Sequence, residues 1–570
     1  MAELPPTLAE RFGADVLGFH DRLGEATVTV KAGAAHAVLQ HLKSPAGGGY
    51  DFLVDLAGVD LQTFGQGGST PDHRFEVVYH LRSMASGRRI RVKAAVPEAA
   101  PEVDSVHDLW KCADWFEREA WDMYGVRFRG HPNLKRILTH HRFVGHALRK
   151  DYFVKDQQWL DDEPESLLDE LGDFGENPAD AGFSELIPVN IGPAHPATHG
   201  TLRVLAKLDG ETVVKAVQEI GYLHRAFEKH SETGTWTQVI PYTDRLNYCS
   251  AMTNNVAYCR TVERLLGIDV PPRTKFIRIV ISEISRIIDH LVCLGASLVD
   301  LGALTNFWYL FALREKAYVA LEGLCGARLT NSYVRIGGLS DDLNPAFVPQ
   351  TREFLKELPG AINDVLGLVK KNRIFLDRTK GVGVIGGEEA LSWGFTGPCL
   401  RASGVAYDLR KAEPYDGYEE FDFEVPVYEG GDTHDRLLIR FDEMVQSARI
   451  VEQALERLPD GPIFADDRRV TMPDKPSVYT NIEALMNHFV LIYEGIRVPR
   501  GETYGRVESP NGELGFYVVS DGTGRPYRVR VRPPCFPIFA AFPRLIEGGM
   551  IADAVATLGS LNIIAGELDR

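Results

Sequence analysis

At 570 residues and 63.3 kDa the chain is too long for one hydrophobic core, and two or three domains are expected. Hydrophobic and charged fractions of 44% and 25% exclude only a disordered chain, while a net charge of −17 argues against nucleic acid as principal partner, because phosphate binding needs a basic face. The opening MAELPPTLAERFGADVLGF has no basic stretch followed by an apolar core, so no export signal is expected.

In chain order, LAERFG and AAHAVLQHLK carry helical patterns, whereas TVTVKA, RFEVVYHLR and RIRVKAAV alternate as strands. Residues 1–155 are therefore expected to form a small α/β sandwich. Within it, FEREAWDMYGVRFRGHPNLKRI (116–137) reads as a helix end followed by two turns. It shows no nucleophile–base pair, and packing or docking is the expected role. Residues 156–184 form an acidic linker: nine acids and no Lys or Arg lie between Asp161 and Asp180, a self-repelling composition.

From residue 185, ELIPVNIG, GTLRVLAKLDG and ETVVKAVQEIG predict short strands in a β-hairpin region, and residues 242–371 turn mainly helical. In KFIRIVISEISRIIDHLVCLG the apolar positions 277, 280, 281, 284, 287, 288 and 291 follow the helical period. Residues 291–313 imitate a membrane span with one charge, Asp300. That acid lies near the middle and Thr305-Asn306 reads as a helix boundary, so two buried helices of a bundle are expected. Beyond Ile385 glycine, proline and short strands return, with helices at RFDEMVQSARIVEQALERL and NIEALMNHFVLIYEGI. The tail GSLNIIAGELDR is apolar enough to thread into the interior. The seven cysteines form no CxxC pair, so no metal site or self-contained iron–sulfur cluster is expected, and isolated thiols suit a reducing compartment.

The turn NIGPAHPATHGTLRV (190–204) carries His195 and His199. A turn histidine is ordinarily a solvated or capping residue. The surroundings change that reading. NIGPAHPATHGTLRV, GYLHRAFEKHSE, DRLNYCSAMTNNVAY and RIGGL follow in the order found in the 49-kDa (D) subunit of respiratory complex I, the proton-pumping NADH:quinone oxidoreductase. FEREAWDMYGVRFRGHPNLKRI and GHALRKDY, with Ala147 in place of a proline, resemble its 30-kDa (C) subunit. The whole chain resembles the fused C/D subunit of some bacteria.

That resemblance implies roles. His199 and Tyr248 match the residues that bind the two carbonyls of the quinone headgroup, and Asp300 matches the acid bonded to that histidine. His195, Arg225 and Arg245 match positions near the quinone chamber or near the terminal 4Fe-4S cluster of the adjacent B subunit. The chain itself would hold no cofactor, with quinone as substrate. Its implied partners are the B subunit, other peripheral-arm subunits (the I subunit and the NADH-input module among them) and the membrane arm, at the cytoplasmic side of the bacterial inner membrane. Chemically the set is coherent: quinone reduction takes two electrons and two protons, and a histidine and a phenol donate both hydrogen bonds and protons.

The fold is expected to be α+β and multidomain, with a larger, mainly helical second module at 185–570 related to the NiFe hydrogenase large subunit. Hydrogenase itself is the enzymatic rival, but Asn247, Ser250, Ile564 and Glu567 stand where it needs four cysteine thiolates. A non-catalytic scaffold, and an equivalent subunit fed by ferredoxin or F420H2, are further alternatives. One departure stands out: the family commonly has a histidine where this chain has Thr330.

Overall fold

The computed structural model describes residues 6–65, 73–153, 158 and 186–570, so the acidic stretch 161–180 lies outside the described residues. The first module is built on a five-stranded sheet. Its strands are β1 (Val16–Arg22), β2 (Glu25–Lys31), β3 (Phe52–Asp60), β4 (Phe75–Arg82) and β5 (Arg89–Val96), in the spatial order β1-β2-β5-β4-β3. Among the described residues of this sheet only β2 and β5 pair in parallel. The helices Ala35–Lys43 and Ala113–Tyr124 supply the α part of the expected sandwich, and the second packs on β3. Gly125 at φ 75 closes that helix, so the Trp-Asp-Met-Tyr-Gly string is a helix end and its left-handed cap. A small parallel ladder, β6 (Glu102–Asp104) with β7 (Arg127–Arg129), flanks it.

Sequence reading passed over β3. All nine of its residues are buried, so it lacks the alternation that marks a half-exposed strand. Its two acids are compensated: Asp55 pairs with Arg530 at 2.8 Å and Asp60 with Arg74 at 3.0 Å.

The three expected hairpin-region strands are β8 (Ile187–Ile191), β9 (Arg203–Asp209) and β10 (Thr212–Glu219), an antiparallel sheet in the order β10-β9-β8. The helical core follows, with Ala251–Leu266, Pro272–Asp300, Leu304–Cys325, Phe347–Val369 and Thr433–Glu456 as its longest members. Pro272–Asp300 is central, contacting Ala251–Leu266, Leu304–Cys325, Thr433–Glu456 and Ile551–Leu561. A two-residue ladder, β11 (Val334–Arg335) with β12 (Gly338–Leu339), braces one end.

Two expectations need correction. The break in 291–313 falls at 301–303, before Thr305, and only the first of the two helices is buried all round. Leu304, Trp308 and Tyr309 on the second are 54%, 63% and 45% exposed, so its unbroken apolarity serves an outward face. Short strands do not return at Ile385 either. Helices occupy the region to residue 480, the long Thr433–Glu456 among them, apart from one bridge at Phe464, and the strands β13 (Gly501–Ser509), β14 (Gly512–Ser520) and β15 (Arg528–Arg532) come later. The helix expected in NIEALMNHFVLIYEGI runs over Ile482–Phe489, widens into a π turn at Val490–Glu494 and buries none of its residues. No described helix is long and apolar enough to cross a membrane.

The two modules share a core. Phe52, Val54 and Val59 of β3 pack with Tyr504, Tyr517, Val519 and Tyr527 of the β13–β15 region. The alternating RVRVR of β15 sends three buried arginines into β3: Arg528 to the Gly58 carbonyl at 3.2 Å, Arg530 to Asp55, and Arg532 to the Val54 carbonyl at 3.0 Å.

Candidate functional site

The β8–β9 connection is a short 3-10 turn, Pro196–Thr198, between the two histidines. Proline at its first position suits a turn start, and the His195 Nδ1 accepts the Ala197 N–H at 3.2 Å. His195 is thus an exposed capping residue. His199 closes the turn in the left-handed region at φ 53, a conformation histidine tolerates better than most residues. That geometry delivers its ring to the end of Pro272–Asp300, where Nε2 donates to Asp300 Oδ2 at 2.5 Å. The two side chains are 22% and 19% exposed, which leaves the pair reachable from one side.

The other wall is the tail. Every residue from Leu561 to Arg570 is buried, as the apolar GSLNIIAGELDR predicts. A Cβ at Gly559 would lie 2.9 Å from Ser297 Oγ and 3.5 Å from His199 Cε1, so the histidine wedges against a glycine surface of Ile551–Leu561. A Cβ at Gly566 would stand 2.6 Å from the Arg245 carbonyl and 2.7 Å from that of Leu246, which explains glycine there.

Those carbonyls belong to the turn that carries Tyr248. This side chain is 37% exposed, and its hydroxyl has no protein partner among the described residues. Burial of the ring and the neighbouring Cys249 and Asp289 push its pKa up to about 12, so the phenol holds its proton throughout the physiological range. Arg225 and Arg245 stand beside it: Arg225 Nη2 donates to the Arg245 carbonyl at 2.7 Å, and Arg245 Nη1 to the Pro241 carbonyl at 2.6 Å. Both are exposed, and neither forms an ion pair among the described residues. Desolvation and the Arg245 charge lower the pKa of Arg225, the mark of two cations held close together. Thr330 lies on the adjoining segment at φ 49, and Ser332 N donates at 3.2 Å to Asp244, the neighbour of Arg245.

Family models match the chain twice: the respiratory-chain NADH dehydrogenase 30 Kd subunit over residues 28–158, and its 49 Kd subunit over 300–570. The C/D subunit of NADH-quinone oxidoreductase from Bdellovibrio bacteriovorus is 48% identical over 571 residues, covering 100% of both chains. That of Acidiphilium cryptum is 39% identical over 95% of this chain and 93% of its own. The chain belongs to the NADH-quinone oxidoreductase C/D subunit family. The NADH-quinone oxidoreductase D subunit of Myxococcus xanthus, 50% identical, matches 67% of the chain and 92% of its own length. This family member is accordingly one subunit of an oxidoreductase complex.

Sequence reading missed the polar cluster behind Tyr248. Asn247 and Glu567, two of the four positions weighed against the hydrogenase cysteines, both enter it. Asn247 Nδ2 donates to Asp289 at 2.7 Å, Asn562 Nδ2 donates to the other Asp289 oxygen at 2.6 Å, and Glu567 accepts the Cys535 N–H at 3.0 Å. Burial pushes the Glu567 carboxyl up to about 7. The available signal was Asp289 itself, an acid within the apolar period of Pro272–Asp300.

Proposed function

We propose that this chain forms the quinone-reduction chamber of its complex, with His199 and Tyr248 as the two headgroup donors and Asp300 orienting His199. The observation that carries the reading is the His199–Asp300 hydrogen bond at 2.5 Å, which joins a hairpin turn to a helix end 101 residues away in sequence. The arrangement supplies what the chemistry asks. An ionised carboxylate accepts only, so it takes the Nε2 hydrogen, sets the ring's orientation and stabilises the imidazolium, the form that donates to the headgroup from Nδ1. The phenol of Tyr248 keeps its proton until a strong base, such as a reduced quinone oxygen, forms against it. His195, as a cap, shapes the turn.

Arg225 and Arg245 form an exposed pair of positive charges without carboxylate partners among the described residues, which fits an anionic group held by a neighbouring subunit. We read that group as the partner's terminal 4Fe-4S cluster, which supplies electrons when present. The two guanidiniums would favour its reduced form by charge alone. The exposed face of Leu304–Cys325, beside Asp300, is read as covered by this B subunit. The exposed Ile482, Met486, Phe489 and Tyr493 would meet another peripheral-arm or membrane-arm subunit. Placement on the cytoplasmic face of the inner membrane, the division at 1–155, 156–184 and 185–570, and hydrogenase kinship belong to the same reading. The kinship is supported by the meeting of Asn247 and Glu567 around one buried cluster.

Tyr248→Phe is the direct test. Quinone reduction by the assembled complex should fall at least tenfold, on the order of the usual loss of a positioned proton donor, while NADH oxidation with ferricyanide persists. Retained quinone reduction, or loss of both activities in an assembled complex, would overturn the assignment.

A further inference from the structure

The long helix Pro272–Asp300 buries a carboxylate that no cation touches. Asp289 is 1% exposed and forms no ion pair among the described residues. His290 and Arg440 act on it only through space, and the His290 Nε2 is turned instead to Glu443 at 2.9 Å. Burial therefore raises the Asp289 pKa above the ordinary carboxylate range. Glu283, on the same helix, is built in the opposite way. Arg410 and Arg286, with Tyr418 and Ser447, hold its carboxyl down at about 2. Glu283 is part of a structural ion network. Asp289 is too weakly compensated to serve as one.

What Asp289 does hold is two amides. Asn247 precedes Tyr248, and its Oδ1 accepts the N–H of Cys249, on the other side of the tyrosine, at 3.1 Å. The Asn247 backbone carbonyl accepts from Asn254 at 2.9 Å. Asn247 thus clamps the turn on both sides of Tyr248, and Asp289 clamps Asn247. The second amide, Asn562, begins the buried tail at φ 56 and also donates to Asn511 Oδ1 at 2.6 Å. Since the Tyr248 hydroxyl has no protein partner among the described residues, its direction is set by this backbone and by the packing of its ring.

We propose that Asp289 is a positioning residue for Tyr248, fixing the phenol through Asn247 and locking its turn to the Leu561–Arg570 tail through Asn562. The inference rests on the reading of Tyr248 as a quinone donor. The residue type follows from the geometry: two NH2 groups converge, and only a carboxylate offers an oxygen to each. Asparagine at 289 would satisfy one amide and oppose the other. The negative charge of Asp289 also contributes to the raised pKa of Tyr248, helping the phenol to retain its proton between turnovers.

The test uses the assembled complex, with a short-chain ubiquinone analogue and, separately, ferricyanide as acceptor. Asp289→Asn should lower quinone kcat about tenfold while assembly and the ferricyanide rate persist. The swap Asn247→Asp with Asp289→Asn reverses donor and acceptor at the same net charge. Residue 289 would then donate to 247 and accept from Asn562, and kcat should recover to within about threefold of the parent. In the Tyr248→Phe background, Asp289→Asn should remove nothing further. Parental activity in Asp289→Asn, a swap no better than the single change, or full additivity with Tyr248→Phe would overturn the proposal. Failure of both the single and the swapped complex to assemble would replace it with a folding role. If Tyr248→Phe alone retains quinone reduction, it is the site reading that falls.

Discussion

Removing the Asp300 carboxylate tests the turn that presents His199. In Asp300→Ala the 2.5 Å hydrogen bond is lost, and with it the contact that offsets the left-handed backbone of His199 at φ 53. A charge-assisted hydrogen bond contributes about 1.5–3 kcal/mol, and side chains 22% and 19% exposed place this one at the lower end. A left-handed non-glycine residue costs on the order of 1 kcal/mol, which favours release of the turn once the bond is gone. A loss of about 1.5 kcal/mol corresponds to roughly a tenfold fall in the population with His199 in place, and quinone reduction should fall accordingly. Asp300→Asn keeps an acceptor oxygen and forfeits only the charge assistance, so about a threefold fall is expected. The assay is NADH:quinone reduction by the assembled complex, normalised to its ferricyanide rate. Activity within twofold of the parent in Asp300→Ala would refute the reasoning, as would equal loss in both variants, because the acceptor would then carry none of the effect.

Arg530→Met should destabilise the chain by about 3–5 kcal/mol, since it strands Asp55 in the shared core and leaves Glu119 with Arg570 alone; thermal unfolding measures it, and a negligible shift would mean the modules do not depend on this junction. Glu567 is buried with a carboxyl raised to about 7, so its charged form opposes folding: its contribution is neutral below the ordinary carboxyl range and turns unfavourable as pH rises to 7. Glu567→Gln should therefore raise the unfolding temperature at about pH 8 and leave it unchanged near pH 4, and equal shifts at both would refute the assignment. Thr330→His places a residue better suited to φ 49 beside the Asp244–Arg245 turn. An EPR-monitored redox titration of the complex's terminal cluster between about pH 6 and 8.5, the usual histidine range, should then show a potential that falls with rising pH, toward about 59 mV per unit, where the parent is flat. A steep slope in the parent would show that another group already titrates there.

Much of this was written locally. The period of KFIRIVISEISRIIDHLVCLG and the glycine closing Trp-Asp-Met-Tyr-Gly each depend on neighbours within a few residues, so sequence alone determines them. Of the proposed site residues only Asp300 stood out locally, as an acid in an apolar run; His199 and Tyr248 were expected from the family resemblance, and it is the fold that brings His199 to Asp300. Tertiary structure decided what depends on distant partners. Strand β3 was invisible because both its faces are buried, and its two aspartates are tolerable only with Arg530 and Arg74 supplied from elsewhere. RVRVR shows only an alternating basic strand until β3 provides acceptors for all three arginines. Asp289 carries the same lesson into the site. Its two amides come from residues 247 and 562, and which atom meets a buried carboxylate is a property of packing across hundreds of residues, where no local pattern reaches.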